Sequence, residues 1–232
     1  MSPDLWPSVR ELREAFAEEL AVAGGAVKDV YEDGGLLVAR GVLPAVREVA
    51  PRDGLQGGVA MRANEQEVFV HPFVFRQVCT NGAIFAQTLG TCAIDREECE
   101  FGVLDRVRDA VRECCGAEAF KTNVAHMAAS RDARADLMLH LMPFLSRMTD
   151  AHRRTAFDSI LRQFHRDKDR SRFGLVNAVT ATARDTRDPE KRWRLEELGG
   201  AIAATVTTPD PRRGRGAAVH VEREGLVAVP VG

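Results

Sequence analysis

Before residue 100 the apolar positions come mostly in short runs, and beyond it they recur at helical spacing. The first element is the exception. Leu12, Phe16 and Leu20 repeat every four residues while Glu14, Glu18 and Glu19 fall off that stripe, which predicts one amphipathic helix reaching Ala23. Ser8 and Glu11 have the spacing of a capping box, and Gly24-Gly25 ends the pattern. Residues 26–32 and 36–42 are β-branched-rich runs on either side of Asp33-Gly34-Gly35, the pattern of a hairpin. Pro44, Pro51, Gly54, Gly57 and Gly58 then punctuate what reads as a loop-rich passage. Residues 59–62 and 67–70 predict a second hairpin across 63–66.

The densest apolar block of this half runs from 67 to 89. Its middle favours a short helix over residues 73–80, opened by Pro72 and closed by Asn81-Gly82 in the left-handed conformation. The alternative is a tight hairpin turn at Asn81-Gly82. Proline suits the start of a helix and is awkward inside a strand. Residues 83–89 read as another strand.

In the second half Val103, Leu104, Val107 and Val111 form a stripe ended by Cys114-Cys115-Gly116, and residues 117–129 predict a further helix. Residues 135–148 are nearly all apolar and predict the buried central helix of a helical half, kinked or interrupted by Pro143. Residues 149–166 are amphipathic. Phe157, Ile160, Leu161 and Phe164 share one arc, Arg154, Arg162, His165 and Arg166 flank it, and Arg153 lands near the apolar side, where it would snorkel. Residues 171–184 align Phe173, Val176 and Val179. Asp188-Pro189-Glu190 supplies an N-cap, a first-position proline and a first-turn acid. Leu195, Leu198, Ile202 and Val206 then keep helical spacing through Gly199-Gly200, which favours a continuous helix over a break. Residues 209–216 read as an arginine-bearing loop. Residues 217–231 hold two short extended runs that could add edge strands to the sheet.

The expected fold class is therefore α+β. Residues 1–100 form a β-rich half, a mostly antiparallel sheet with a helix. Residues 101–208 form a helical bundle, and 209–232 a loop and terminal strand pair. With no long linker, all 232 residues are expected to pack as one compact unit.

Composition changes this picture by exclusion. At 45% hydrophobic residues the chain can bury a sizeable core. A net charge of -2 with 28% charged residues excludes a basic nucleic-acid coat and an acidic disordered tail. The five cysteines are odd in number and form no Cys-x-x-Cys pair, which argues against a disulfide framework and a four-thiolate zinc site. Charged residues from Asp4 to Glu19 interrupt the first 29 positions, so no signal peptide is expected. No run approaches the roughly 18 uncharged residues of a membrane helix. The expectation is a reduced, cytoplasmic protein without a membrane partner.

One string is distinctive: Arg76-Gln77-Val78-Cys79-Thr80-Asn81-Gly82. It resembles the Arg-x-x-Cys-Thr/Ser-Asn-Gly signature of a phage- and plasmid-borne family, the domain of unknown function 932. A later stretch, Phe173-Gly174-Leu175-Val176-Asn177-Ala178-Val179-Thr180, is similar to that family's Leu-x-Asn-Ala-Val-Thr motif. The order and rough separation of the motifs fit, while the chain is shorter before the first motif than many members. The resemblance implies a mobile-element or genome-maintenance context and no established reaction.

Arg76, Cys79, Thr80, Asn81 and Gly82 could form a functional corner, but their types suit a structural one better. Asn81 and Gly82 fit a helix end, Cys79 a small buried group, and Arg76 a donor to backbone carbonyls. Asp136 and His140, four apart on a helix, could begin a metal site, yet no third ligand can be named. His165-Arg166-Asp167 lacks the Gly-rich loop and the Asp-Phe-Gly of a kinase, and no nucleotide-binding fingerprint occurs. No catalytic residue, cofactor or metal is assigned.

The basic band is the remaining signal. Residues 147–172 hold eight Arg or Lys against four Asp, a local net of +4 in a chain of net -2. Arg154, Arg162, Arg166, Lys168, Arg170 and Arg172 could neutralise phosphates, extended by Arg212, Arg213 and Arg215 from the loop. The opposing reading is a solvated face with local ion pairs. The expected function is a non-enzymatic nucleic-acid-associated protein that binds DNA or RNA. The alternative is a homo-oligomeric assembly or partner-docking protein, and a metal-dependent enzyme stands third.

Overall fold

A computed structural model describes residues 6–88, 90–99, 101–146 and 150–205. The fold is α+β, as the pattern predicts. Helix α1 (Val9–Val22) leads into strands β1 (Ala26–Asp33), β2 (Leu36–Ala50), β3 (Asp53–Ala63), β4 (Glu67–Arg76), β5 (Asn81–Ile84) and β6 (Cys92–Asp95). Helices α2 (Val103–Cys114), α3 (Ala117–Asp132), α4 (Leu137–Leu145), α5 (Asp150–Arg166), α6 (Arg172–Arg184) and α7 (Pro189–Ala204) follow. The sheet is antiparallel in the order β1-β2-β3-β4-β5, and β6 pairs with β4 beside β5. The 217–231 strand pair and the 209–216 loop lie outside the described residues.

Local chemistry sets the helix starts. Ser8 and Glu11 close a reciprocal capping box on α1, and Asp188 accepts from the Lys191 amide with Pro189 in the first turn of α7. The first hairpin turns at Gly34-Gly35, both at positive φ (55° and 82°), a geometry glycine adopts without a Cβ clash.

The passage through Pro44 to Gly58 is sheet, not loop. Strand β2 runs to Ala50 and β3 begins at Asp53, with a register shift between Val42 and Val46 around Pro44. The glycines there serve close approach. A Cβ on Gly57 would meet the Phe120 ring at 2.9 Å, and one on Gly58 would strike the Gly41 carbonyl.

The predicted helix over 73–80 is also absent. Strand β4 continues through Pro72 to Arg76, the chain turns over 77–80, and β5 begins at Asn81. The turn is therefore not at Asn81-Gly82 either. Pro72 is tolerated because of where its missing N–H points. Its carbonyl accepts from the Phe85 amide (2.9 Å), so the proline nitrogen faces the same edge, where β5 has ended and β6 has not begun. Of the strand expected over 83–89, the first two residues are strand and 85–88 are not; residue 89 lies outside the described residues.

The sheet is covered on both faces. Alternate residues Leu37, Ala39, Met61, Val68 and Val70 pack with Leu12, Phe16, Leu20, Val107 and Val111 of α1 and α2. Val38, Ala60, Phe73, Phe75 and Ile84 point the other way, onto Trp193 of α7. A third cluster joins Leu55, Val74, Ala83 and Phe85 to α3 through α7.

Within the helices, α4 is not the buried centre. Met138 and Leu139 are 65% and 62% exposed and Met142 is 40% exposed; Leu141 and Leu145 alone are buried. The central helix is α6, buried from Arg172 to Ala183. Its small residues Gly174, Ala178, Ala181 and Ala183 permit close neighbours, which apolar bulk alone does not. Helix α7 continues through Gly199-Gly200, as the spacing favours.

Candidate functional site

The first motif is a corner built around Asp53. Arg76, the last residue of β4, forks onto this nearly buried carboxylate with Nε–Oδ1 at 2.6 Å and Nη2–Oδ2 at 2.8 Å. Its anchor is a side-chain carboxylate, not the backbone carbonyls expected. Arg76 Nη1 also donates to Cys79 Sγ at 3.2 Å. Arg131 of α3 reaches Asp53 at 3.7 Å, and both guanidinium groups lie against the Phe173 ring, at 5.2 and 5.0 Å.

Thr80, at φ 51°, takes the left-handed conformation assigned from sequence to Asn81-Gly82. Gly82 is extended, and it is glycine because a Cβ there would run into the Phe73 ring. Asn81 is buried and donates from Nδ2 to Thr180 Oγ1 at 2.8 Å. The two motifs therefore touch. Arg184, further along the helix that carries Asn177 and Thr180, donates to the Cys79 carbonyl at 2.6 Å. Asn177 is itself buried.

The chain matches no family model, no curated protein and no solved structure.

The basic band divides. Arg154, Arg162, Arg166, Lys168 and Arg170 are exposed, whereas Arg172 is buried at 4% exposure. Arg172 thus drops out of any phosphate-facing surface. Being the first residue of the central helix removes it from solvent. Arg153 donates to the Leu145 carbonyl at 2.9 Å. Arg162 donates to the Asp158 carbonyl and Ser159 Oγ, and Arg170 to the Phe164 carbonyl while lying over that residue's ring. Among the described residues only Arg166 of the five exposed cations is within ion-pair distance of a carboxylate, the neighbouring Asp167 at 3.6 Å. Arg162 and Arg166 line a groove whose far wall is Thr182, Asp185 and Thr186 at the end of α6. Arg212, Arg213 and Arg215 lie outside the described residues.

Asp136 and His140 have structural tasks. The Asp136 carboxylate caps α4 through the Leu139 amide (3.0 Å), and His140 Nδ1 sits 2.6 Å from the Asp136 carbonyl. Among the described residues no group of three His, Cys, Asp or Glu side chains could hold a metal ion, and the five cysteines are free. No helix among them is long and apolar enough to cross a membrane.

Sequence reading missed the ionic seam between sheet and α7. Arg40 of β2 is 2% exposed and donates to Glu196 (2.7 Å) and Asp29 (2.8 Å), and Arg192 bridges the same two acids at 2.9 and 3.4 Å. Beside it Arg62 binds Glu190 and Glu67, and Trp193 Nε1 donates to Glu197 at 2.8 Å. Burial pushes the Glu197 carboxyl up and His71 down to about 4, leaving that imidazole neutral. A signal for it in the sequence is the single charge, Arg40, inside the otherwise apolar run 36–43.

Proposed function

We propose that this chain is a non-enzymatic polyanion-binding protein that engages nucleic-acid phosphates through the exposed cations of α5 and the segment after it. The observation that carries this reading is the lack of carboxylate partners. Four of the five exposed cations make no ion pair among the described residues. A merely solvated face would gain from local neutralisation, whereas unneutralised guanidinium groups remain available to phosphate oxygens. The groove beside Arg162 and Arg166 carries hydroxyl groups from both helices, with the Asp185 carboxylate on its far wall.

The mobile-element context rests on the motif resemblance alone; the contact between the two motifs is a feature of the fold. In this reading the Arg76–Gly82 corner is scaffold: it ties β4 and β5 to α6, the neighbour of α5.

The test is fluorescence anisotropy of labelled single-stranded and duplex oligonucleotides across a salt series. Five phosphate contacts predict a log–log salt slope of about -4.5 on duplex and about -3.5 on single strands. Arg162→Ala with Arg166→Ala should flatten the duplex slope by about 1.8. No binding of either at low salt overturns the reading. A second reading, self-association or partner docking, is favoured by the exposed Met138, Leu139 and Met142 of α4. Light scattering of the purified chain tests it, and a strict monomer that binds nucleic acid counts against it.

A further inference from the structure

Between α4, α7 and the turn after β5 lies an open cavity of about 490 Å³, within the range of small-molecule sites. Its walls are mainly carbon, from Phe85, Leu139, Phe144 and Ile202. Its polar side chains are Gln87, Thr88, His140, Glu197 and Thr205, of which Glu197 alone is an acid. Glu197 lines it as a carboxylate, its side chain 31% exposed. Its Oε1 accepts from Trp193 Nε1 and lies 3.7 Å from Nε2 of the neutral His71, and among the described residues no Lys or Arg is within ion-pair distance. His140 lines the opposite wall. Its Nδ1 lies 2.6 Å from the Asp136 carbonyl and 3.2 Å from the Asp136 amide nitrogen, and its Nε2 has no hydrogen-bond partner among the described residues.

We propose that this cavity binds a small amphipathic amine, its apolar body between Phe85 and Phe144 and its ammonium group on the Glu197 carboxylate. The charge is the discriminating feature. A half-buried carboxylate without a cationic partner is costly to leave bare, and a ligand that brings the cation removes that cost. A neutral apolar molecule would fill the space and leave the carboxylate unpaired. An acid of the same size would place two negative charges together.

The test uses 2-phenylethylamine, 2-phenylethanol and 3-phenylpropionate as probes in amide NMR titrations of the full chain. The expected result is saturable shifts around Ala86–Thr88 and Gly200–Ala204 with the amine, with a Kd on the order of 1 mM. The alcohol should bind at least about tenfold more weakly, and the acid should not bind. Glu197→Gln keeps an acceptor for Trp193 while removing the charge, and should weaken the amine at least about tenfold. Ala201→Phe fills the mouth from an exposed position, where it does not disturb folding, and should abolish the shifts. The proposal is overturned if the amine gives no saturable shift, if the acid binds as well, or if both variants bind the amine unchanged.

Discussion

Replacing Gly200 with alanine tests whether the sheet and helical half are held at backbone contact. Gly200 sits mid-way along α7, where it faces β5. A Cβ there would run into the Ile84 carbonyl oxygen, with the Ile84 carbon at 2.7 Å and Phe85 Cα at 3.2 Å. None of these atoms belongs to a side chain that can rotate away. On propensity alone Gly200→Ala should stabilise the helix by about 1 kcal/mol. Overpacking against fixed backbone atoms lies at the upper end of the usual range, about 3 kcal/mol, so the net should be a loss of about 2 kcal/mol. For a domain of this size that lowers Tm by roughly 4–8 °C. Gly199→Ala is the internal comparison. Its obstacle is the Thr180 Cγ2 methyl at 2.6 Å, which can shift, so its loss should be smaller, about 1 kcal/mol. Urea unfolding followed by circular dichroism gives both values, provided the m-value is unchanged. A Gly200→Ala protein as stable as the parent, or the reverse order of the two variants, would refute the reasoning.

The ionic seam and the motif corner give further expectations. Glu196→Ala should cost about 3 kcal/mol, because it leaves the fully buried Arg40 with Asp29 as its one carboxylate among the described residues, and Arg40→Met with Glu196→Leu should recover much of that in the same unfolding assay. Asn81→Ala should cost about 1–2 kcal/mol, and a double-mutant cycle with Thr180→Val should show a coupling above about 0.5 kcal/mol; strict additivity would deny the 2.8 Å bond its role. His71 binds its proton at about 4 in the fold against an ordinary 6.5, so the unfolded chain protonates first. Stability is whole above pH 6.5 and falls by about 3 kcal/mol as the pH drops toward 4. The raised carboxyl of Glu197 acts in the opposite sense. His71→Phe should flatten the loss, and an unchanged pH profile in that variant would count against the assignment.

What the sequence disclosed divides along a physical line. Caps and turns are local: Ser8 with Glu11, Gly34-Gly35 and Asp188-Pro189 act on atoms within a few residues, so their spacing carries the information. Pro72 and Gly82 act on atoms brought from elsewhere. Whether a proline breaks a strand depends on which edge its nitrogen faces, and here that edge is the gap between β5 and β6. Gly82 is required by a ring nine residues back in sequence and one strand away, a relation that composition does not record. The same distinction explains α4 and α6. Hydrophobic mass predicts α4 as the centre, but a centre must admit neighbours on all sides, and it is the small-residue helix α6 that does. For the candidate surface, the excess of arginine on α5 was readable, and that Arg154 and Arg162 lack a carboxylate within ion-pair distance among the described residues was not. Ion pairing is decided by which acids the fold brings near. This fold spends Asp29, Asp53, Glu190 and Glu196 on arginines of the sheet and α7, and leaves the cations of α5 facing solvent. The division of labour between arginines that hold the fold and arginines that can bind is therefore a property of the tertiary structure. The proposed phosphate surface draws on the exposed cations, and the Arg76–Gly82 corner on an arginine already committed to Asp53.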